Sequence, residues 1–199
     1  MKVVIIKYNA GNVESVSNAL KRLGVEPIIS ADHEIIRGAD KVIFPGVGEA
    51  KNTMEYLKRE GLGDLIRSLK QPVLGICLGL QLMCSHSEEG DVDCLGIFAE
   101  QVKRFHPNAG EEFITKVPHM GWNQISKVKA PLFDSSLEYE YVYFVHSYYA
   151  TVGEHTAAEG NYIVPFSAAL HKDNFYATQF HPEKSGSVGE QILQQFLST

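Results

Sequence analysis

Cys77 lies between two glycines, in the sequence Gly75-Ile76-Cys77-Leu78-Gly79. An apolar run precedes it and a run of helical character follows it. This is the pattern of a nucleophile elbow, a tight strand-to-helix turn that exposes one side chain. Side chains at the two glycine positions would collide with neighbouring backbone, and the N-terminus of the following helix favours the nucleophilic thiolate. The alternative is a buried cysteine in an ordinary strand–loop–helix, unless a base lies near it.

His181-Pro182-Glu183 contains both a base and a carboxylate, directly after a predicted strand over residues 175–180. Proline excludes helix here and holds His181 extended. Residues two apart on an extended segment point the same way, so Glu183 can fix the imidazole tautomer. The sequence therefore predicts a Cys–His–Glu triad, with exposed polar residues at a strand end as the alternative. Other histidines near predicted strand ends compete for the role of base: His119, His146 and His171.

A glycine-containing loop, Pro45-Gly46-Val47-Gly48, follows a predicted strand over residues 41–44. It lies at the carboxyl end of that strand, where α/β sheets build their sites. An N–H of this loop and that of Leu78 are predicted to stabilise the oxyanion of a tetrahedral intermediate. Because glycine tolerates positive φ, the Gly46–Val47 peptide could rotate and exchange an inward N–H for an inward C=O. An ordinary glycine turn into the next helix is the alternative.

Strands and helices alternate through the first half of the chain, and its first strand, residues 3–6, is a continuous β-branched run typical of a buried parallel strand. In the second half the sequence pattern changes to strands and turns, with candidate strands over 102–105, 113–117, 123–128 and 141–148. A helix over 188–197 closes the chain. The sequence predicts an α/β fold, an open and mostly parallel sheet flanked by helices with an added antiparallel β region in the second half. We expect one domain over residues 1–199.

Composition narrows the classes of function. Lys+Arg number 18 against 24 Asp+Glu, a net charge of −6, which argues against a nucleic-acid binder. The three cysteines lack a metal-ligand spacing, and their odd number in a chain of this length indicates a reduced, cytoplasmic protein. The chain shows neither a signal peptide nor an apolar run near 18 residues, so we expect no membrane span. We also expect no metal and no other cofactor.

The elbow, the glycine loop and the His-Pro-Glu segment together resemble the class I glutamine amidotransferases, in order and spacing over the whole chain. The resemblance implies a flavodoxin-like fold and hydrolysis of the amide of L-glutamine through a thioester at Cys77, with the ammonia passed to a second active site. It also implies contacts to the substrate from Gln81, from Glu89, which would hold the α-amino group, and from His146-Ser147-Tyr148, mostly by backbone.

A narrower resemblance concerns that second active site. Residues 119–123 and 143–148 are similar to segments of the glutaminase subunits of imidazole glycerol phosphate synthases, enzymes of histidine biosynthesis. This implies a heterodimer with a (β/α)8-barrel cyclase, with Asn12, Trp122 and Lys184 at the junction. Lys7 departs from the family, since most members carry aspartate there, and the change bears on an interface contact rather than on the triad.

Two other interpretations stay open at this point. One is a glutaminase that serves a different synthase, of the pyridoxal phosphate or anthranilate type, against which the segment Gly121-Trp122-Asn123 speaks. The other is a relative of the same fold without glutaminase activity, such as a cysteine peptidase or a silent binding module. Gln81 and the complete triad argue against it. For Trp122 alone, a place in the core is the alternative to a place at an interface.

Overall fold

The structure is a computed structural model that describes residues 1–8, 12–107, 109–110 and 115–199. Most of the loop over residues 8–12 and the first part of the predicted strand over 113–117 lie outside the described residues. Residues 115–117 are not in a strand.

The described residues form thirteen strands and six α-helices. The strands are β1 (Val3–Ile6), β2 (Ile28–Ser30), β3 (Lys41–Gly46), β4 (Val73–Cys77), β5 (His86–Ser87), β6 (Val92–Asp93), β7 (Gln101–Arg104), β8 (His119–Gln124), β9 (Tyr141–His146), β10 (Tyr148–Ala150), β11 (Thr156–Tyr162), β12 (Val164–Lys172) and β13 (Phe175–Thr178). The helices are α1 (Val13–Arg22), α2 (His33–Arg37), α3 (Ala50–Arg59), α4 (Leu62–Ser68), α5 (Leu78–Met83) and α6 (Gly186–Ser198).

The main sheet has a parallel half and a mostly antiparallel half. Its parallel strands stand in the order β2-β1-β3-β4-β13. β12, β10 and β7 continue it antiparallel, β5 pairs parallel with β7, and β6 forms the edge, while β11 pairs with β12 outside this order. A separate antiparallel hairpin consists of β8 and β9. The predicted fold class, a mostly parallel sheet flanked by helices with an added antiparallel region, is confirmed.

Helices cover the parallel strands on both faces. Alternate side chains of a strand point to opposite faces, and in β1 Val3 and Ile5 pack into one core with α1 and α6. Val4 and Ile6 pack into a second core under α2 to α5. Burial on both faces accounts for the continuous β-branched sequence of β1. Among the described residues, no helix is long and apolar enough to span a bilayer.

The antiparallel half departs from the sequence prediction in three places. The strand predicted over residues 123–128 is β8, which begins four residues earlier, at His119, and the strand predicted over 141–148 is interrupted at Ser147. β11 and β12, which pair with each other, were not predicted. These strands are rich in alanine, glycine and serine, and β12 contains Pro165, so their strand propensity is low and pairing with neighbours decides their conformation.

The carboxyl ends of β3, β4 and β13 meet at one edge of the sheet because the three strands are adjacent and parallel. Gly46 lies opposite Cys77 across β3 and β4, and Thr178 lies opposite Ile76 across β13 and β4. The glycine loop, the elbow and His181 therefore come together from segments far apart in the sequence, at the edge where parallel sheets place their sites.

Candidate active site

The elbow at Cys77 is the tight strand-to-helix turn that the sequence predicts, and its backbone is strained. Cys77 links β4 to α5 with φ 55° and ψ −108°, a conformation rare for a residue with a side chain. A Cβ on Gly79 would lie 2.1 Å from the carbonyl oxygen of Phe44, and one on Gly75 would lie 3.0 Å from the Gly79 carbonyl. The close approach of the turn to β3 and β4 explains both glycines, as predicted.

His181 and Glu183 form a buried pair. The carboxylate oxygen Oε1 of Glu183 lies 2.8 Å from Nδ1 of His181, and both side chains are almost wholly shielded from solvent. The route to this contact differs from the prediction, because Pro182 does not exclude helix: Pro182–Lys184 is a single 3-10 turn. Proline fits the first turn of a helix, where its missing N–H would have no partner.

Cys77 and Glu183 together favour the protonated form of His181. Burial lowers the pKa of His181, but hydrogen bonding and charge interaction with Cys77 and Glu183 outweigh burial and raise it to about 10. Nε2 of His181 is buried and has no partner of good hydrogen-bond geometry among the described residues. At neutral pH the arrangement therefore favours the imidazolium form of His181.

Gln179 is a site residue that the sequence analysis missed. Its Nε2 donates to Sγ of Cys77 at 3.7 Å, and the whole residue is buried. The sulfur itself points to the carbonyl of Val145, at 3.9 Å. The sequence analysis assigned Gln179 only to a strand. Its position two residues before His181, on the same side of an extended segment, is the signal that could have found it.

Gln81 lies one turn after the nucleophile and is buried. Its Nε2 donates to the carbonyl of Tyr148 at 2.9 Å and to Oε1 of Gln179 at 3.0 Å. Both amide protons are therefore used inside the protein, and the carbonyl oxygen is the group that Gln81 can offer to a ligand.

A cavity of about 380 Å³ opens over the sulfur, within the size range of small-molecule sites. It is lined by Val47, Gly48, Cys77, Leu78, Gln81, Glu89, Pro118, Val145, His146, Ser147, Tyr148, His181 and Lys184. The structure thus gathers all the predicted substrate-contacting residues around one space. Four other predicted residues lie outside the lining: Asn12, Gly46, Trp122 and Glu183.

The glycine loop differs from the prediction at Gly46, which belongs to β3 and does not have positive φ. A Cβ there would lie 2.7 Å from both the Gly79 nitrogen and the Leu78 Cβ. With the Gly46–Val47 peptide as it stands in the structure, glycine is required at position 46 because of close packing against the elbow, not because of conformational freedom. The positive φ belongs to Gly48, at 118°, next to Val47, which lines the cavity and is partly exposed.

Glu89 supplies a carboxylate to the cavity. One of its oxygens accepts a hydrogen bond from the backbone N–H of Ala50 at 2.8 Å. Burial raises the pKa of Glu89, the Ala50 N–H opposes this, and the charge of Glu49 adds to it. A partly desolvated carboxylate gains from a cationic partner, so this position suits an ammonium group of a ligand.

His119 and His146 are excluded as competing bases. Nδ1 of His146 donates to the Tyr148 carbonyl at 2.7 Å, and its Nε2 lies 3.0 Å from Nδ1 of His119, whose Nε2 faces the Asn123 amide. Burial lowers the pKa of His119 to about 4 and that of His146 to about 3. Both rings are neutral at physiological pH and belong to a fixed hydrogen-bond chain, whereas His171 contacts the Asp173 carbonyl.

The residues predicted at the junction with a partner are accessible or close to the triad. Trp122 is 56% exposed on β8, so the alternative of a core residue is wrong. Lys184 is exposed at the mouth of the cavity. Asn12 occupies the N-cap position of α1 but makes no side-chain cap bond, and its amide instead donates to Oε1 of Glu183 at 3.2 Å.

Residues 4–199 match the family model described as "Glutamine amidotransferase class-I". The chain belongs to the class I glutamine amidotransferases. This confirms the family assignment made from three short segments. The matched residues include the elbow, the glycine loop and the His-Pro-Glu segment.

Curated relatives carry a more specific name. A protein of Bacteroides thetaiotaomicron named "Imidazole glycerol phosphate synthase subunit HisH" is 66% identical over 197 residues, 99% of each chain. One of the same name from Idiomarina loihiensis is 46% identical over 99% of this chain and 97% of the relative. These relatives are named as subunits, so each is part of a larger assembly.

Solved structures show the same fold in more distant members. A protein of Thermoplasma acidophilum described as a putative component of GMP synthase superposes with a TM-score of 0.74 at 21% identity, over 100% of this chain and 93% of that one. PurLQS from Thermotoga maritima gives 0.71 at 15% identity, over 99% and 97%. At these identities the similarity establishes the fold alone.

Proposed function

We propose that this chain is the glutaminase subunit of an imidazole glycerol phosphate synthase. As a single domain over residues 1–199, it would hydrolyse L-glutamine to glutamate and ammonia and supply the ammonia to a cyclase partner that makes imidazole glycerol phosphate and AICAR. The observation that carries the proposal is the Cys77–His181 pair at the base of a cavity of amino-acid size, in a chain 66% identical to a curated subunit of that name.

The chemistry follows from the positions of the side chains. The Cys77 thiolate attacks the amide carbon of glutamine, and the N–H groups of Val47 and Leu78 stabilise the oxyanion that forms. The C–N bond breaks as His181 gives its proton to the leaving nitrogen, which departs as ammonia and leaves a thioester. Water then attacks the thioester, His181 accepts the proton of the water, and glutamate leaves as the thiolate returns. Glu183 holds the imidazole throughout.

Substrate recognition uses the remaining walls of the cavity. The carboxylate of Glu89 pairs with the α-ammonium group of glutamine, because both groups lose solvent and have opposite charge. The free carbonyl oxygen of Gln81 and the backbone of residues 146–148 complete the site, and the Tyr148 carbonyl is already fixed by two hydrogen bonds. A neutral His146 adds no charge that would repel the ammonium.

The partner in this proposal is a (β/α)8-barrel cyclase, bound as a heterodimer over the surface that carries Trp122 and Lys184. The exposed face of the β8–β9 hairpin supports this, since it presents Met120, Trp122 and Tyr141, each more than half exposed. Asn12 would lie at the edge of the same contact. Its amide donates to Glu183, so this side chain would link the junction directly to the triad.

A glutamine-analogue electrophile tests the assignment of the nucleophile. We expect it to modify Cys77 and to spare the two other cysteines, because burial raises the pKa of the Cys94 thiol to about 12 and that of the fully buried Cys84 thiol well above its usual value. Peptide mapping by mass spectrometry identifies the site, and L-glutamine should protect it. Modification of Cys84 or Cys94, or no protection by glutamine, would favour a hydrolase of another kind. Identification of the co-purified partner decides between synthases.

The members of the triad should differ in their contributions. His181→Ala removes the proton carrier and should cost nearly as much activity as loss of Cys77, since residues that act as a unit are non-additive. Glu183→Gln keeps an acceptor for His181 and should cost less, about 10- to 100-fold in kcat. Steady-state glutaminase assays of the complex measure both. Complete loss in folded Glu183→Gln would show that Glu183 does more than orient the ring.

Trp122→Ala should weaken binding of the cyclase without lowering the stability of the isolated chain. An exposed aromatic anchor at an interface contributes about 2 kcal/mol or more to binding, or roughly 30-fold in Kd. Calorimetric titration gives the Kd and thermal unfolding gives Tm. Ile28→Ala on the edge strand β2 is a matched control, since Ile28 is an exposed apolar residue in a different sheet from Trp122. A large drop in Tm for Trp122→Ala would contradict the interface role.

A further inference from the structure

We propose that Gln179 is a further catalytic residue, whose side-chain N–H holds the sulfur of Cys77 in place and stabilises it as a thiolate. This proposal rests on the glutaminase function, since it assigns a role within the same site. The supporting observation is a relay of three hydrogen bonds that ends on the reacting atom, from the carbonyl of Tyr148 through the amides of Gln81 and Gln179.

The direction of this relay is fixed by its first member. A backbone carbonyl can only accept a hydrogen bond, so the Tyr148 oxygen requires the NH2 group of Gln81, at 2.9 Å. The second N–H of that group points to Gln179, 3.0 Å away, which must present its carbonyl oxygen there. The amide of Gln179 then has its NH2 group directed at Sγ, 3.7 Å away. If the Gln81 amide were flipped, its oxygen would face the oxygens of Tyr148 and Gln179. If the Gln179 amide were flipped, its NH2 group would face the NH2 group of Gln81.

Burial makes the arrangement rigid. Gln179 is fully buried, and its backbone N–H donates to the carbonyl of Ala168 at 2.8 Å, just after β13 ends. A buried side-chain amide is costly unless its polar atoms are paired. Here both partners of the amide are groups of the cavity, Gln81 at one end and Cys77 at the other. An apolar side chain could fill the same space but could not donate a hydrogen bond to the sulfur. The amide of Gln179 therefore gives this site a donor that simple packing would not.

A hydrogen bond to a charged acceptor is stronger than one to a neutral acceptor, so the Gln179 N–H favours the thiolate over the thiol. The titratable groups around the sulfur are His181 with Glu183 behind it, which follow Gln179 in the chain, neutral His146 in β9, and Tyr8 after β1, whose hydroxyl donates to the Pro45 carbonyl. None of these groups is removed when Gln179 is replaced, so we expect a shift in the titration of the sulfur to report the lost N–H.

The test uses the full chain with Gln179→Met, which removes the amide at similar volume, and Gln179→Glu, which keeps the acceptor for Gln81 but loses the donor. The rate of Cys77 alkylation by iodoacetamide is measured against pH, with mass spectrometry to separate it from the other cysteines. We expect the midpoint to rise by about one pH unit or more, and further for Gln179→Glu, whose added charge opposes the thiolate. In the complex, kcat should fall about 10- to 100-fold with KM little changed.

Ser167→Ala is the matched control, since Ser167 in β12 is also fully buried and hydrogen-bonded, but its partners are Thr151 and Thr156 and it does not line the cavity. It should lower stability and leave the alkylation profile unchanged. A profile of folded Gln179→Met and Gln179→Glu identical to that of the natural chain would overturn the proposal. The alkylation assay needs no glutamine, so a shifted midpoint in a chain that shows no glutaminase activity even in the complex would refute the proposed function and still support the role of Gln179.

Discussion

Cys77→Ala should abolish glutamine-dependent synthesis of imidazole glycerol phosphate in the complex and leave synthesis from added ammonium salt intact. Loss of the thiolate removes the thioester route entirely, which we expect to lower kcat by on the order of a million-fold, as in other enzymes whose triad loses its nucleophile. The ammonia-dependent reaction should persist because it takes place on the partner. Product formation with glutamine and with ammonium, measured on the same preparation, gives both rates.

The control for this prediction is Cys94→Ser, which changes a half-buried thiol outside the cavity. It should retain both activities. If synthesis from ammonium also collapsed in a folded Cys77→Ala complex, Cys77 would have a role in the coupling of the two subunits in addition to hydrolysis.

The isolated chain should be a poor glutaminase, and the cyclase with its bound ligand should activate it on the order of 100- to 1,000-fold. That is the effect of one oxyanion-hole donor, here the Val47 N–H, which a rotation of the Gly46–Val47 peptide would turn away from the cavity. The partner needs to favour the active state by only a few kcal/mol, through contacts near Asn12 and Lys184. Glutamine hydrolysis by the chain alone, with partner, and with partner and ligand measures the effect.

The structure also indicates which variant tests this activation by rotation of the Gly46–Val47 peptide. Gly46→Ala is unsuitable, because its Cβ would press on the elbow at 2.7 Å from the Gly79 nitrogen. Val47→Pro instead deletes the proposed donor on a partly exposed residue, and Val47→Ala keeps it. We expect activation to vanish in the proline variant and to survive in the alanine variant, with similar binding of the partner. Full activity of the isolated chain, unaffected by partner or ligand, would contradict gating.

The residues with local signals could be predicted from the sequence. Cys77 is marked by glycines on both sides and His181 by the Pro-Glu that follows it. Cys77 ends one strand of apolar residues, and His181 follows another strand closely. Parallel strands are buried on both faces, so their composition identifies them without knowledge of their neighbours. The convergence of these segments at one sheet edge then follows from the topology rule for parallel sheets.

The residues that act through distant partners could not be predicted in this way. Gln179 is defined by contacts to Gln81 and Cys77, 98 and 102 positions away, and Asn12 by a contact to Glu183, 171 positions away. Asn12 carries no periodic or motif signal, and the only local signal for Gln179 is its spacing of two residues from His181. The reason for glycine at position 46 is likewise a distance between β3 and the elbow, which only the folded chain contains.

The most direct measurement of the central claim is the transfer of the amide nitrogen of glutamine to the product of the partner. The complex is supplied with glutamine carrying an isotopically labelled amide and with excess unlabelled ammonium, and the label in imidazole glycerol phosphate is measured by mass spectrometry. The account predicts labelled product from the natural chain and only unlabelled product from Cys77→Ala. Unlabelled product from the natural chain with no glutamate released, or labelled product from Cys77→Ala, would contradict it.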